Sequence, residues 1–299
     1  MRFSWKKRLL FLLLAVFAGM AWCFCSSKYG LEATNYFLIS SKIAQPIRIV
    51  QLTDLHNSEF GKENSRLIEL IRKQKPDLVL LTGDMINGDE HDTRIAVNLM
   101  KQLSEIAPVY ASWGNHEQEN SILFGTDVTD LYAHAGATVL EKTYEDVEIN
   151  GQAIRIGGIL GYCLAEPYLR TGEAKEDEIA YLRRFENTEL LTILMCHDPL
   201  CWIVNDNLEQ WNIDVVFSGH DHGGQIRLPW LGGVYAPDLG YFPGRVHGLY
   251  PSEDEKRVMV LSRGLGSRGS IPRLNNVPEL VVVDILPQGV HDERQGIDQ

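Results

Sequence analysis

Five short segments of this sequence carry side chains able to do chemistry together: Asp54-Leu-His56, Gly83-Asp84, Gly114-Asn115-His116-Glu117, Cys196-His197-Asp198 and Gly219-His220-Asp221-His222. Taken singly they are unremarkable, since Asp-x-His is common on surfaces and Gly-Asp is a turn dipeptide. Their conjunction is less ordinary. Each directly follows a short apolar run, each supplies Asp, Asn or His, and five of the nine histidines lie in them. Imidazole nitrogens mixed with carboxylate and amide oxygens, without thiolates, suit borderline divalent ions such as Mn²⁺, Fe²⁺, Zn²⁺ or Co²⁺. Seven such donors overfill one tetrahedral site but fit two ions that share a carboxylate. Two ions about 3.5–4 Å apart hold a bridging hydroxide and clamp an attacked phosphoryl group. The departing alkoxide then needs a proton donor, and a histidine ordinarily titrates close enough to neutrality to be one.

The elements that must position these residues follow from the apolar runs. Residues 47–52, 78–81, 109–113, 191–196 and 215–217 are almost continuously apolar, the pattern of strands buried on both faces. Active residues at the ends of such strands agree with ligand binding at strand carboxyl ends in open sheets. Residues 65–75, 93–105 and 176–186 read as amphipathic helices, the first stopped by Pro76. Residues 154–159, 258–262 and 280–285 read as further strands. No repeat or low-complexity tract interrupts the body, which predicts one domain over residues 46–286. A tether over 29–45, with an edge strand at 36–39, precedes it, and a polar tail over 287–299 follows it.

The first 28 residues differ in kind. Arg2, Lys6, Lys7 and Arg8 precede an uncharged apolar run over residues 9–25, long enough to cross a bilayer core and longer than a usual signal-peptide core. Cations on its N-terminal side predict a cytoplasmic N-terminus and an extracytoplasmic body on a single-pass cell-membrane anchor. No Ala-x-Ala cleavage site and no twin-Arg pair appear, and Trp22 before Cys23 spoils a lipoprotein-type box, so a retained anchor is favoured over a cleaved signal. The whole chain carries 28 Lys and Arg against 40 Asp and Glu, a net charge of −12. With five cations and no acid in residues 1–28, the remainder stands at −17. An acidic body of this size repels a polyphosphate backbone, which excludes a nucleic-acid-coating role. Outside the apolar run, Cys163, Cys196 and Cys201 show no zinc-finger spacing and read as buried small side chains.

Asp-x-His, Gly-Asp, Gly-Asn-His-Glu, His and Gly-His-x-His, in this order, resemble the calcineurin-like metallophosphoesterase superfamily. QLTDLHNSEFG, KPDLVLLTGDMI, GHDHGGQIRLPWLGGVYAP and LSRGLG…IPRLNNVPEL resemble its membrane-anchored bacterial branch, which includes enzymes proposed to act on UDP-diacylglucosamine-like nucleotide lipids. The resemblance runs from about Ile47 to Leu286. It implies an α/β fold, a four-layer α-β-β-α sandwich of two mixed sheets flanked by helices. By motif position it implies that Asp54, His56 and His222 hold one metal and that Asn115, His197 and His220 hold a second, with Asp84 bridging. His116 would protonate the leaving oxygen or steady the transition state, and Glu117 would support the turn. One departure matters. The protein-phosphatase branch has Gly-Asp-x-x-Asp-Arg-Gly, whereas this chain reads Gly83-Asp84-Met-Ile-Asn87-Gly88, which argues against a phosphoserine/phosphothreonine phosphatase. It also leaves open what orients His116, with Asn87 as one candidate.

The function expected is a metal-dependent phosphomonoesterase or phosphodiesterase acting near a bilayer on a lipid-linked or cell-envelope phosphoester. Its cofactors would be two divalent ions from among Mn, Fe, Zn and Co. A non-catalytic metal-stabilised membrane scaffold and a metallohydrolase of another bond are the competing readings. Arg263 and Arg273 are candidates for a substrate phosphate or for structural roles, and His247 for the pocket or for solvent. His91, His134 and His291 read as surface residues. The apolar stretch 228–242 reads as a lid, a membrane-facing lip or core. Oligomeric state is not written in the sequence.

Overall fold

Runs that are apolar at every position can be buried only between two layers, and the strands predicted from them lie there. The computed structural model describes residues 5–161, 175–204, 207–267 and 271–289. Cys163, His291 and the tail from residue 290 lie outside the described residues. An apolar helix, α1 (Trp5–Tyr29), leads into strands β1 (Glu32–Ser40) and β2 (Ile47–Leu52). Then come α2 (Ser65–Gln74), β3 (Leu78–Thr82), α3 (Arg94–Ser104), β4 (Val109–Ser112), α4 (Asn115–Phe124), α5 (Val128–His134) and β5 (Ala137–Val139). The second half opens with β6 (Thr143–Ile149), β7 (Gln152–Ile159), α6 (Glu176–Phe185), β8 (Leu191–Cys196), α7 (Leu200–Val204) and β9 (Val215–Ser218). Four two-residue strands follow, β10 (Arg227–Leu228), β11 (Gly232–Gly233), β12 (Tyr235–Ala236) and β13 (Gly240–Tyr241), and then β14 (Gly248–Pro251), β15 (Val258–Leu261) and β16 (Glu279–Pro287).

Two six-stranded sheets result, ordered β1-β16-β2-β3-β4-β5 and β14-β15-β9-β8-β7-β6. Both are mixed. In the first, β2 through β5 run parallel and β16 is antiparallel to β2. In the second, β15, β9, β8 and β7 run parallel, with antiparallel β14 and β6 at the edges. The sheets face each other across a core that includes Ile47, Ile49, Leu80, Ile156, Ile193, Met195, Phe217, Val260 and Val283. Side chains of this size stabilise by about 1.5–3 kcal/mol each when withdrawn from water. The outer face of the first sheet packs on α2, α3 and α5 through Leu67, Ile71, Leu99, Leu103 and Tyr132. The outer face of the second packs on α6 and α7 through Leu182, Phe185 and Trp202. This is the expected four-layer α-β-β-α sandwich.

One boundary differs. The edge strand expected at 36–39 within the tether is longer, residues 32–40 pairing in parallel with β16 along nine residues, from Glu32–Glu279 to Ser40–Pro287. The alternating burial of β1 suits an edge strand covered on one face only. Helix α1 docks on the body through its last turns. The Ser27 hydroxyl accepts from Asn276 N at 2.9 Å, and Arg66 Nη2 donates to Tyr29 O at 3.0 Å.

Candidate metal centre

The parallel strands of both sheets end at one place. β2 ends before Asp54 and His56, β3 before Asp84, β4 before Asn115 and His116, β8 before His197, and β9 before His220 and His222. Hydrogen bonds sew the two sets of strand ends together. Gln51 Nε2 donates to Thr82 Oγ1 and to Ser218 O, both at 2.9 Å, and His220 N donates to Asp54 Oδ1 at 3.1 Å. Asp54, His56, Asp84, His220 and His222 all have positive φ, between 48° and 69°. Non-glycine residues held there cost of order 1–3 kcal/mol each and persist where the surroundings fix them, commonly at functional sites. Gly83, at φ +86°, permits the tight join: a Cβ there would stand 2.6 Å from Gly114 N and 2.7 Å from His197 Nδ1.

The seven expected ligands converge in two groups. Asp54, His56 and His222 bring one donor atom each into one cluster, and Asp84, His197 and His220 into another. Asp84 adjoins both, its Oδ2 lying 3.2 Å from His197 Nε2 and 3.7 Å from His56 Nε2. His220 Nδ1 is 3.3 Å from His197 Nε2. Asn115, the first residue of α4, lines the same cleft, and its buried Oδ1 has no hydrogen-bond partner among the described residues; nor have His56 Nε2 and His222 Nδ1. Buried polar atoms without partners are rare and ask for a reason.

Charge gives the same reason. Asp54 and Asp84 are buried, yet both stay ionised: burial would raise their pKa values, and the surrounding imidazoles more than reverse that. Burial also opposes charging His197, but Asp84 and Asp54 beside it push it up to about 9. His220, with Asp198 and Asp238 nearby, rises against burial to about 10. His222 is drawn by burial down to about 3, despite Asp54. Two buried carboxylates that gather protons onto neighbouring imidazoles form a site built for positive charge, and divalent cations satisfy it as protons do. The donor set and the orphaned atoms therefore fit two metal ions.

Supporting contacts fix the rings. His197 Nδ1 donates to Thr82 O at 2.8 Å, and His56 Nδ1 meets Asn87 Oδ1 at 3.2 Å. His220 Nε2 meets Asp238 Oδ2 at 2.7 Å, leaving Nδ1 for the cluster. Metal-ligating histidines commonly spend their second nitrogen in this way. Glu117 is wholly buried and accepts from Asp84 N, Met85 N, Gly114 N and Tyr132 Oη at 2.7–2.8 Å, clamping the loops after β3 and β4. Repulsion from Asp84 adds to burial in raising its pKa.

His116 lies beside the clusters, with Nε2 4.0 Å from Asp84 Oδ2. Its Nδ1 is 3.0 Å from Glu119 Oε2, one turn along α4, and 3.1 Å from Gly88 N. One nitrogen cannot donate to the first and accept from the second at once. Both groups hold the ring from its Nδ1 side, so Nε2 faces the cleft. Asn87, the candidate for orienting His116, meets His56 instead, and Glu119 is the side chain within reach of His116 Nδ1. Neither Glu119 nor Asp238 stands out in the sequence: Glu119 shows only as an i, i+3 spacing from His116, and Asp238 lies 18 residues from its partner.

The cleft has a volume of about 470 Å³ and is completed by Gln225, Tyr235, Pro237 and Ile271. Arg263 is not part of it, being engaged by Glu279 at 2.9 Å and by Glu32. Arg273 is buried against Gly266 O and Arg263 O. His247 pairs with Arg227 Nη2 at 3.1 Å. Cys196 and Cys201 are buried, and the Cys196 thiol is held well above its usual range by burial.

Residues 47–224 match the family model described as calcineurin-like phosphoesterase. The metallophosphoesterase YkuE of Bacillus subtilis is 29% identical, with 84% of this chain and 84% of YkuE covered. The phosphodiesterase YaeI of Escherichia coli is 30% identical over 81% of this chain and 83% of YaeI. The crystal structure of a dimetal phosphatase from Danio rerio overlaps 73% of this chain and 87% of that one, at 14% identity and a TM-score of 0.43.

Proposed function

The chain belongs to the calcineurin-like phosphoesterase family and is a phosphoester hydrolase, and on that premise we propose a membrane-anchored two-metal enzyme for lipid-linked phosphoesters. The observation that carries the two-metal reading is Asp84, whose carboxylate adjoins both ligand clusters. Asp54, His56 and His222 would hold one divalent cation and Asn115, His197 and His220 the other, with Asp84 common to both. Such a pair supplies Lewis-acid charge for the phosphoryl oxygens and a hydroxide nucleophile at neutral pH.

The chain's own residues do the rest. His116, protonated at Nε2 and tied at Nδ1 to Glu119, gives its proton to the leaving oxygen. Thr82 O, Asn87 and Asp238 hold the ligand rings in orientation. The N-terminus of α4 points backbone N–H groups at the site, and His116 N binds Asp84 Oδ1 at 2.9 Å. Tyr235, Pro237 and Ile271 give the cleft an apolar wall for the alcohol part of the substrate. The apolar, outward-facing residues of α1 support the anchor, and the cations before them support an extracytoplasmic body.

The full chain in detergent, supplied with Mn²⁺, is expected to hydrolyse an aryl phosphomonoester or phosphodiester. Asp84→Asn is expected to abolish the activity, and undiminished turnover in a strong chelator would refute the two-metal reading.

A further inference from the structure

We propose that the paired hairpins β10–β11 and β12–β13 dip into the surface of the bilayer that α1 crosses, giving the enzyme a second membrane contact at the mouth of its cleft. The inference rests on the anchoring role proposed above for α1. The hairpins expose Leu228, Trp230, Leu231, Tyr241 and Phe242, with Trp230 wholly exposed and Tyr241 at 73%. A cluster of large apolar side chains facing outward marks a binding surface. Tryptophan and tyrosine in particular settle at the boundary between lipid and water, where the ring is buried and the polar tip stays wet.

The occupant is read from what lies next to the patch. Asn275 touches the last turns of α1 and the base of β10 together: its Oδ1 is 3.8 Å from Cys23 Sγ, and its Nδ2 donates to Arg227 O at 3.0 Å. Ser27, one turn further on, is buried against Asn276. The body thus sits directly on the end of the apolar helix, and a bilayer around that helix ends beside Arg227. Trp230 lies three residues beyond, within about 10 Å along the chain. The hairpins are joined through Val234, since Phe242 N donates to Val234 O at 2.8 Å and Val234 N to Ile226 O at 2.8 Å. The body carries a net negative charge, which disfavours holding it down by attraction to anionic headgroups, whereas aromatic insertion needs no lipid charge. The same unit carries Tyr235 and Pro237 of the cleft wall and Asp238, the partner of His220. A headgroup phosphoester at the bilayer surface would therefore meet the ligand clusters without leaving the membrane.

The test uses the full chain in zwitterionic phosphatidylcholine nanodiscs, prepared with and without acyl chains brominated near the headgroup. Subtracting the emission of Trp230→Phe from that of the wild type isolates Trp230, and Trp22→Phe isolates a tryptophan of α1 in the same way. Bromine is expected to quench both contributions at least twofold. Trp22 quenched with Trp230 unaffected would overturn the second contact and leave the anchor standing. If neither is quenched, both readings fall. A Trp230 shielded from aqueous acrylamide but untouched by bromine would place a second copy or another protein on the hairpins, which also overturns the proposal.

Discussion

At the scale of single residues, the site separates side chains that would hold metal from those that would move a proton or hold a ring. In the proposed reaction His116 is the proton donor, and its effect should depend on how badly the leaving group needs a proton. His116→Gln is expected to lower kcat about 100-fold for an alkyl ester and only a few-fold for a nitrophenyl ester, with metal content unchanged; paired kinetics and elemental analysis check this. Glu119→Gln should show the same dependence more weakly, since it loosens the ring without removing it. Asp238 would act through His220 and not on substrate. Asp238→Ala is expected to weaken the binding of one metal equivalent 10- to 100-fold and spare the other, with Asp238→Asn intermediate, as followed by metal titration. The sequence displayed the candidate ligands because aspartate and histidine at strand ends are conspicuous. It hid Glu119 and Asp238, because an acidic residue on a helix face or in a loop looks the same whether or not an imidazole stands behind it.

At the scale of elements, legibility followed burial. The central strands β2, β3, β4, β8 and β9 were visible because burial on both faces leaves no room for polar alternation, and α2, α3 and α6 because a sheet claims one stripe of each. Helix α4 escaped notice: Glu117 and Asn120 are its buried residues, so no apolar stripe marks it. Only residues 36–39 of β1 were visible as an edge strand, because one of its faces is open, and two-residue strands such as β10 have no period to read. The loops between strand and helix are the functional elements, and Glu117 is their common anchor. A glutamine there must turn an NH₂ group toward a backbone N–H, either at Asp84 and Gly114 or at Met85. Glu117→Gln is therefore expected to cost about 2–3 kcal/mol in urea denaturation and to lower metal loading as well, whereas Tyr132→Phe, which removes one bond of the set, should cost about 1 kcal/mol.

At the scale of the whole molecule, the two sheets share one site, so whatever couples the sheets bears on both stability and catalysis. The chain crosses from the first sheet to the second at residues 140–142, where Leu140 N donates to Ala111 O and Lys142 N to Gly158 O, both at 2.8 Å. Between them Glu141 turns inward and accepts from Leu160 N at 3.1 Å, while its Oε2 is buried without a partner among the described residues. Burial pushes its pKa up from 4.5 to about 7, although the backbone N–H groups of Leu160 and Trp113 pull the other way. The folded protein then keeps a proton that the unfolded chain gives up near pH 4.5. This contribution to stability is complete below pH 4.5, declines as pH rises and is gone above pH 7, a loss of up to about 3 kcal/mol at 1.36 kcal/mol per pH unit. Glu141→Gln keeps an acceptor for Leu160 N and cannot ionise. Its stability relative to the wild type is expected to rise steadily from pH 5 to pH 7.5 in urea denaturation of the metal-loaded protein, because the histidines and carboxylates of the metal centre are common to both proteins and cancel in the difference. A difference that stays flat across that range would show that Glu141 is ionised in the fold and that the seam between the sheets is wetter than its burial indicates.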